Sequence, residues 1–149
     1  MLTPFSHRFA GILLAGCAFG AMMIACGKNV APTAVEPVQP TLSSIQAQVF
    51  NRSCALPSCH SSVSQRGGLI LEAEKSYANL VNVRCVNDTA RSQNKRRVVP
   101  FKPDSSFLFI KITGPGSGEG SLMPDGAGKL PQQMIDAIRQ WIEQGAQNN

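Results

Sequence analysis

Aromatic rings and imidazoles are scarce in this chain. Only 6% of its 149 residues are aromatic, with one Trp and one Tyr, which excludes a core built mainly from packed rings. Loops or a bound cofactor must fill the interior. Histidine is scarcer still: His7 lies in an N-terminal segment with the features of a leader, so the mature chain keeps His60 alone. A single imidazole excludes any metal site built from several histidines. The chain has no internal repeat, no heptad run and no Gly-rich phosphate loop. Its length allows one small domain, which buries roughly two thirds of its surface.

Charge is almost absent at the start. Residues 1–25 carry only Arg8, and Phe9 to Ala25 run without a charge through Gly, Ile, Leu, Ala, Phe and Met. This pattern predicts a secretory signal. A membrane span needs about 20 apolar residues, whereas this run is shorter, Gly/Ala-rich and followed by Gly27, Lys28 and Asn29. Two stretches, Leu14-Ala15-Gly16-Cys17 and Met23-Ile24-Ala25-Cys26, resemble the bacterial lipobox, whose cysteine is lipidated and becomes the new N-terminus. Cys17 fits that pattern better by letter. Cys26 fits better physically, because the chain turns polar directly after it. The expectation is lipidation at Cys26 and a position on the periplasmic side of a bacterial membrane, either anchored or released into the periplasm by simple cleavage. Residues 26–40 hold Pro32, Pro37 and Pro40 among polar and small residues and read as a flexible tether. The domain proper is then 41–149.

Within it the periodicity predicts short helices. Thr41 is placed to cap a helix through about Arg52, with Leu42, Ile45, Val49 and Phe50 on one face. A second helix is expected near Glu72 to Val81. Asn82 to Val99 holds Arg84, Arg91, Lys95, Arg96 and Arg97 with few apolar residues and reads as a long exposed loop. Asp104 is expected to cap a helix from Ser105 to Ile112. Thr113 to Leu130, with six glycines and two prolines, is loop. Pro131 then opens a last helix with Met134, Ile135, Ile138, Trp141 and Ile142 as its buried stripe and Gly145 at its end. The expected class is all-α, four or so short helices joined by long loops, and no strand ladder is needed.

The chemistry lies in Cys54-Ala55-Leu56-Pro57-Ser58-Cys59-His60 and in one methionine. A c-type haem needs two thiols for its vinyl groups and a histidine directly after the second, usually as C-x-x-C-H. Here four residues separate the cysteines, so Ala55 to Ser58 must loop out. The same two cysteines could instead close a disulfide in an oxidising compartment. A structural zinc on Cys54, Cys59, His60 and Cys85 has suitable ligand types, but export disfavours free thiolates. Cys85 could also be a free thiol, an intermolecular bridge or a disulfide partner of Cys54 or Cys59. With one histidine available, a sixth iron ligand would be methionine, lysine or nothing. Only Met123 and Met134 follow the leader. Met134 lies on the apolar stripe of the last helix. Met123 sits in a Gly-rich loop with Pro124 directly after it, placed to swing a thioether over a haem face.

At this point the residues resemble a family, the class I cytochromes c, in a small secreted subgroup with a methionine-proline loop before the last helix. The likeness runs over about Ile45 to Ala146. It rests on the early helix with Cys-Cys-His, on Leu122-Met123-Pro124-Asp125-Gly126 followed by Trp141-Ile142 and Gly145-Ala146, and on Arg97 to Leu108. That last segment is similar to a V-V-P-G-x-P-x-x-S-x-L stretch, with Phe101 where Gly is usual. The resemblance implies a cytochrome c-like fold around one haem c, thioether bonds at Cys54 and Cys59, and His60 and Met123 as axial iron ligands. It implies a one-electron carrier rather than an enzyme, working with redox partner proteins. The alternative is a haem-free lipoprotein interaction module of the same fold with a Cys54–Cys59 disulfide.

Removing residues 1–25 removes Arg8 alone from the 14 basic groups, leaving 13 against 9 acidic. The excess lies mostly between Arg84 and Lys102 and could steer a partner with an acidic surface, or simply keep the protein soluble. Nucleic acid is not expected, because the chain is exported and its basic run has no interleaved aromatics.

Overall fold

The structure is a computed structural model and describes residues 36–149. The leader, Cys17, Cys26 and most of the tether lie outside the described residues. Among the described residues no helix is long and apolar enough to cross a membrane.

Five short helices and no strand make up this part of the chain, which is all-α as its periodicity predicts. Helix α1 (Leu42–Ile45) starts where the Thr41 hydroxyl accepts the Ser44 N–H at 3.3 Å, which satisfies one of the free amides of the first turn. The helix then widens into a π-helical run over Gln46–Cys54, a rare geometry that frequently marks functional sites. Gln46 is buried, and its amide donates to Asn51 Oδ1 and the Leu71 carbonyl at 2.7 Å each while accepting the Ser76 hydroxyl at 2.6 Å. These bonds tie α1 to the segment leading into α2 (Ser76–Leu80). That helix occupies only the second half of the region expected.

The basic stretch from Asn82 to Val99 departs most from expectation. It is folded. Helix α3 (Asp88–Ser92) is capped by Asn87, whose side chain accepts the Ala90 N–H at 2.9 Å. Isolated bridges pair Val81 with Val98, Arg84 with Arg96, and Arg96 with Ser106. Ala90 and Val98 are fully buried, and Cys85 and Arg97 nearly so. A few apolar residues at the right places suffice to fold a segment whose average composition is polar.

Helix α4 (Phe107–Thr113) begins at Phe107 after its N-cap Ser106, two residues later than expected, following a single 3₁₀ turn at Pro103–Ser105. Asp104 therefore caps nothing; it pairs with Arg139 at 2.9 Å. The buried Ser106 hydroxyl takes the Val99 N–H at 2.9 Å and donates to the Lys102 carbonyl at 2.8 Å, closing the turn from inside. Phe101 adopts φ +66, a left-handed conformation that costs a side chain about 1–2 kcal/mol. That is a physical reason for glycine being usual at this point of the similar segment.

Helix α5 (Gln132–Glu143) follows Pro131, which stands just outside it. Its Ile135, Ile138, Trp141 and Ile142 pack with Leu42, Ile45, Val49 and Phe50 from the first helix and Phe109 and Ile112 from α4. Met134 is only partly buried at the edge of this cluster. Burial of each large aliphatic side chain contributes about 1.5–3 kcal/mol, and this three-helix contact is the main store of stability. The single indole is fully buried and satisfied, donating to the Gln147 carbonyl at 2.8 Å.

Candidate functional site

The π-helical run delivers Cys54 to the protein interior. Ala55, Leu56, Pro57 and Ser58 then turn outward and back: Cys59 N–H donates to the Leu56 carbonyl at 2.8 Å and His60 N–H to the Cys54 carbonyl at 3.0 Å. The four intervening residues, two more than usual, are thus taken up in one bonded turn, with Leu56, Pro57 and Ser58 exposed. His60 returns beside Cys54 despite the longer spacing.

His60 is then held from both sides. Its carbonyl accepts the Leu71 N–H at 2.7 Å, and its Nδ1 lies 2.9 Å from the Arg66 carbonyl. A carbonyl can only accept, so Nδ1 carries a proton. Burial lowers the pKa of the ring, and the charges of Arg97 and Arg66 act in the same direction against the raising effect of the Arg66 hydrogen bond. Its Nδ1 is thus committed to the Arg66 backbone, as the second nitrogen of a metal-ligating histidine usually is, and the Leu69 backbone also acts on the ring in the raising direction.

Cys54, His60 and Met123 line one cavity of about 360 Å³, with Leu69, Leu71, Leu80, Phe107, Leu108 and Ile112 as apolar walls. This volume and lining are those of a small-molecule or cofactor site. Met123 is partly buried, its N–H donates to the Lys111 carbonyl at 2.8 Å, and the Met123–Pro124 peptide is cis. Cys59 is close enough to Cys54 to affect its ionisation, but it is not part of the cavity wall, and its sulfur lies 3.7 Å from the Ser58 hydroxyl. A second cavity of about 380 Å³, beside Leu42, Glu74, Tyr77 and Asn149, holds none of these side chains.

Four wall residues carry no motif in the sequence. Cys85 is 4% exposed and faces the same cavity. Arg97 is buried with its guanidinium on three carbonyls, Asn79 at 2.8 Å, Gly67 at 3.1 Å and Gly68 at 2.9 Å, so it ties the loop after His60 to α2. Lys111 and Glu119 complete the polar rim. Nothing local distinguishes Lys111 and Glu119, whereas Cys85 already stands out as a cysteine outside the Cys-Cys-His motif and Arg97 opens the similar segment.

Cys54, Cys59 and Cys85 are free thiols in this structure. Burial pushes the Cys54 thiol up to about 12, with Cys59 adding to the effect. Burial also raises Cys85, while Arg97 and Lys95 pull it the other way. Among the described residues no three His, Cys, Asp or Glu side chains are grouped to hold a metal ion, so Cys54, Cys59, His60 and Cys85 do not form a zinc cluster. Comparison with known proteins finds no matching family model, no matching curated protein and no matching solved structure.

Proposed function

We propose that the chain is an exported, lipid-anchored electron carrier with a class I cytochrome c-like domain. One haem c would be held through Cys54 and Cys59, with His60 and Met123 as axial ligands of its iron. The observation that carries this reading is that His60, with Nδ1 tied to the Arg66 carbonyl, shares one apolar cavity with Met123 and Cys54. The residues present fit the group: an imidazole and a thioether for the iron, and the thiols of Cys54 and Cys59 for the two vinyl groups.

Bound there, the haem would supply one-electron exchange between ferrous and ferric iron. Everything else falls to the chain. The Arg66 carbonyl orients His60 and raises its basicity. Met123 contributes a weak thioether donor, which favours the reduced state and a relatively high potential. Leu69, Leu71, Leu80 and Ile112 exclude water from the site, and Arg66 and Lys111 on its wall offer cationic partners to the carboxylates of the group. With His60 and Met123 both holding the iron, the group would have no position left for a substrate. That makes the role carriage rather than catalysis. The exposed Arg84, Arg91 and Arg96 suit redox partners with acidic surfaces.

The test is the intact mass and visible spectrum of the mature protein from a host that matures cytochromes. The expected result is a mass raised by one haem, with a reduced-minus-oxidised band that survives denaturation. A colourless product at the polypeptide mass would overturn the reading.

A further inference from the structure

The loop from Gly114 to Leu130 has no helix, yet Glu119 within it is only 6% exposed. A buried carboxylate is costly unless paired, and this one is paired from outside its own loop. Lys95, just beyond α3, forms an ion pair with it, and the Gly116 N–H donates to its other oxygen at 2.7 Å. Lys111, from α4, closes the other side. Its ammonium donates to the Glu119 carbonyl at 3.0 Å and to the Ser121 carbonyl, while its own carbonyl receives the Met123 N–H.

The residues flanking Glu119 allow this close fit. Gly118 and Gly120 adopt φ +79 and +82, and a Cβ on Gly118 would stand 2.4 Å from the Thr89 hydroxyl oxygen. Such backbone is open to glycine and strained for other residues. Asn87 adds a bond to the Gly118 carbonyl at 3.1 Å. The loop is therefore pinned at three residues, Gly118, Glu119 and Ser121, shortly before the methionine. The pinning groups come from three separate stretches of chain.

We infer that Glu119, clamped by Lys95, is the positioning residue for Met123: it fixes the register of the loop so that the thioether stands on the cavity wall. The inference rests on the proposed function for the role of Met123 as an iron ligand, but the positioning itself can be measured without haem. The full chain is prepared with and without haem, as wild type, as Glu119→Gln, which keeps an acceptor for Gly116 and removes the charge, and as Lys95→Met.

In the haem-free chain both variants should exchange the Met123 amide about tenfold faster or more, with the amides of α5 unchanged. In the ferric haem-loaded protein, imidazole should bind about tenfold more tightly to Glu119→Gln than to wild type, because a less well-placed ligand competes less. Against a Met123→Ala background, Glu119→Gln should add nothing. Unchanged Met123 exchange overturns the inference, as does equal acceleration in α5, which would mean general destabilisation. Equal tightening in the Met123→Ala background also overturns it, because Glu119 would then act on the cavity and not through Met123. A chain that takes up no haem rejects the proposed function, and amide exchange still decides the positioning.

Discussion

Individual side chains here act mainly by holding other groups in place. Arg97 is the clearest case, because three carbonyls from two segments depend on one buried guanidinium. Arg97→Met should cost about 3 kcal/mol, since it leaves buried acceptors unsatisfied, and urea unfolding of the haem-free chain would measure it. Met123→Ala belongs to the same scale. If Met123 is the distal ligand, its loss lowers the potential and opens the iron to exogenous imidazole, and a titration followed by absorbance reads both. An unchanged spectrum would reject the ligand assignment. His60 and Met123 were legible in the sequence because each stands in a short pattern. Lys111 and Glu119 were not, because their partners lie in other segments and nothing in their local context announces a buried charge.

Helix ends decide the shape of the elements. The chain leaves α5 through Gly145 at φ +98, where an added Cβ would stand 2.8 Å from the tip of the Phe101 ring. Gly145→Ala should therefore cost about 1–3 kcal/mol, chiefly as backbone strain. The exposed Phe101 ring can move, so a Phe101→Ala background should recover only the steric part of that cost. Thermal melting of the two single variants and the double variant tests this coupling. Within α5, Ile138 is 1% exposed, and Ile138→Ala should cost about 2–5 kcal/mol. Helices α1 and α5 could be read in advance from their apolar stripes and flanking Thr41, Pro131 and Gly145. The Gln46 bonds to Leu71 and Ser76 could not, since those partners lie 25 and 30 residues further along the chain. Asp104 looked like a cap by position, but Arg139 claims it.

For the whole molecule, pH is the simplest probe. Glu72 accepts from the Lys75 ammonium at 2.8 Å and from the Ser62 N–H and hydroxyl at 2.7 and 2.8 Å, and these bonds lower its pKa from 4.5 to about 2, the Lys75 bond most. Its partner Ser62 lies in the loop just after His60. Glu119 is lowered in the same direction, first by Lys95 and then by Gly116. A carboxylate with its folded pKa below its unfolded value binds fewer protons folded than unfolded. Its contribution is full above about pH 4.5 and is lost as pH falls toward 2. His60, also lowered by burial, adds a loss of the same sign in the haem-free chain as pH drops below its unfolded value of about 6.5. Stability of that chain should decline from neutral pH downward, and Glu72→Gln should flatten the part of the curve below pH 4.5. Equal slopes in the two proteins, measured by urea midpoints at successive pH values, would count against Glu72 as a contributor.

The sequence by itself determined what depends on neighbours in the chain: the all-α class, the caps and apolar stripes of the first and last helices, and the outward loop between Cys54 and Cys59. Hydrogen bonds and side-chain periodicity within one turn are local, so local patterns carry them. Tertiary structure alone decided that the basic stretch from Asn82 to Val99 folds against the core, that Cys85 faces the cavity shared by Cys54, His60 and Met123, and that Glu119 is buried. Each of these rests on bonds or packing between segments distant in sequence. A charged residue enters the interior only when a partner from elsewhere meets it there, and no stretch of sequence records that meeting.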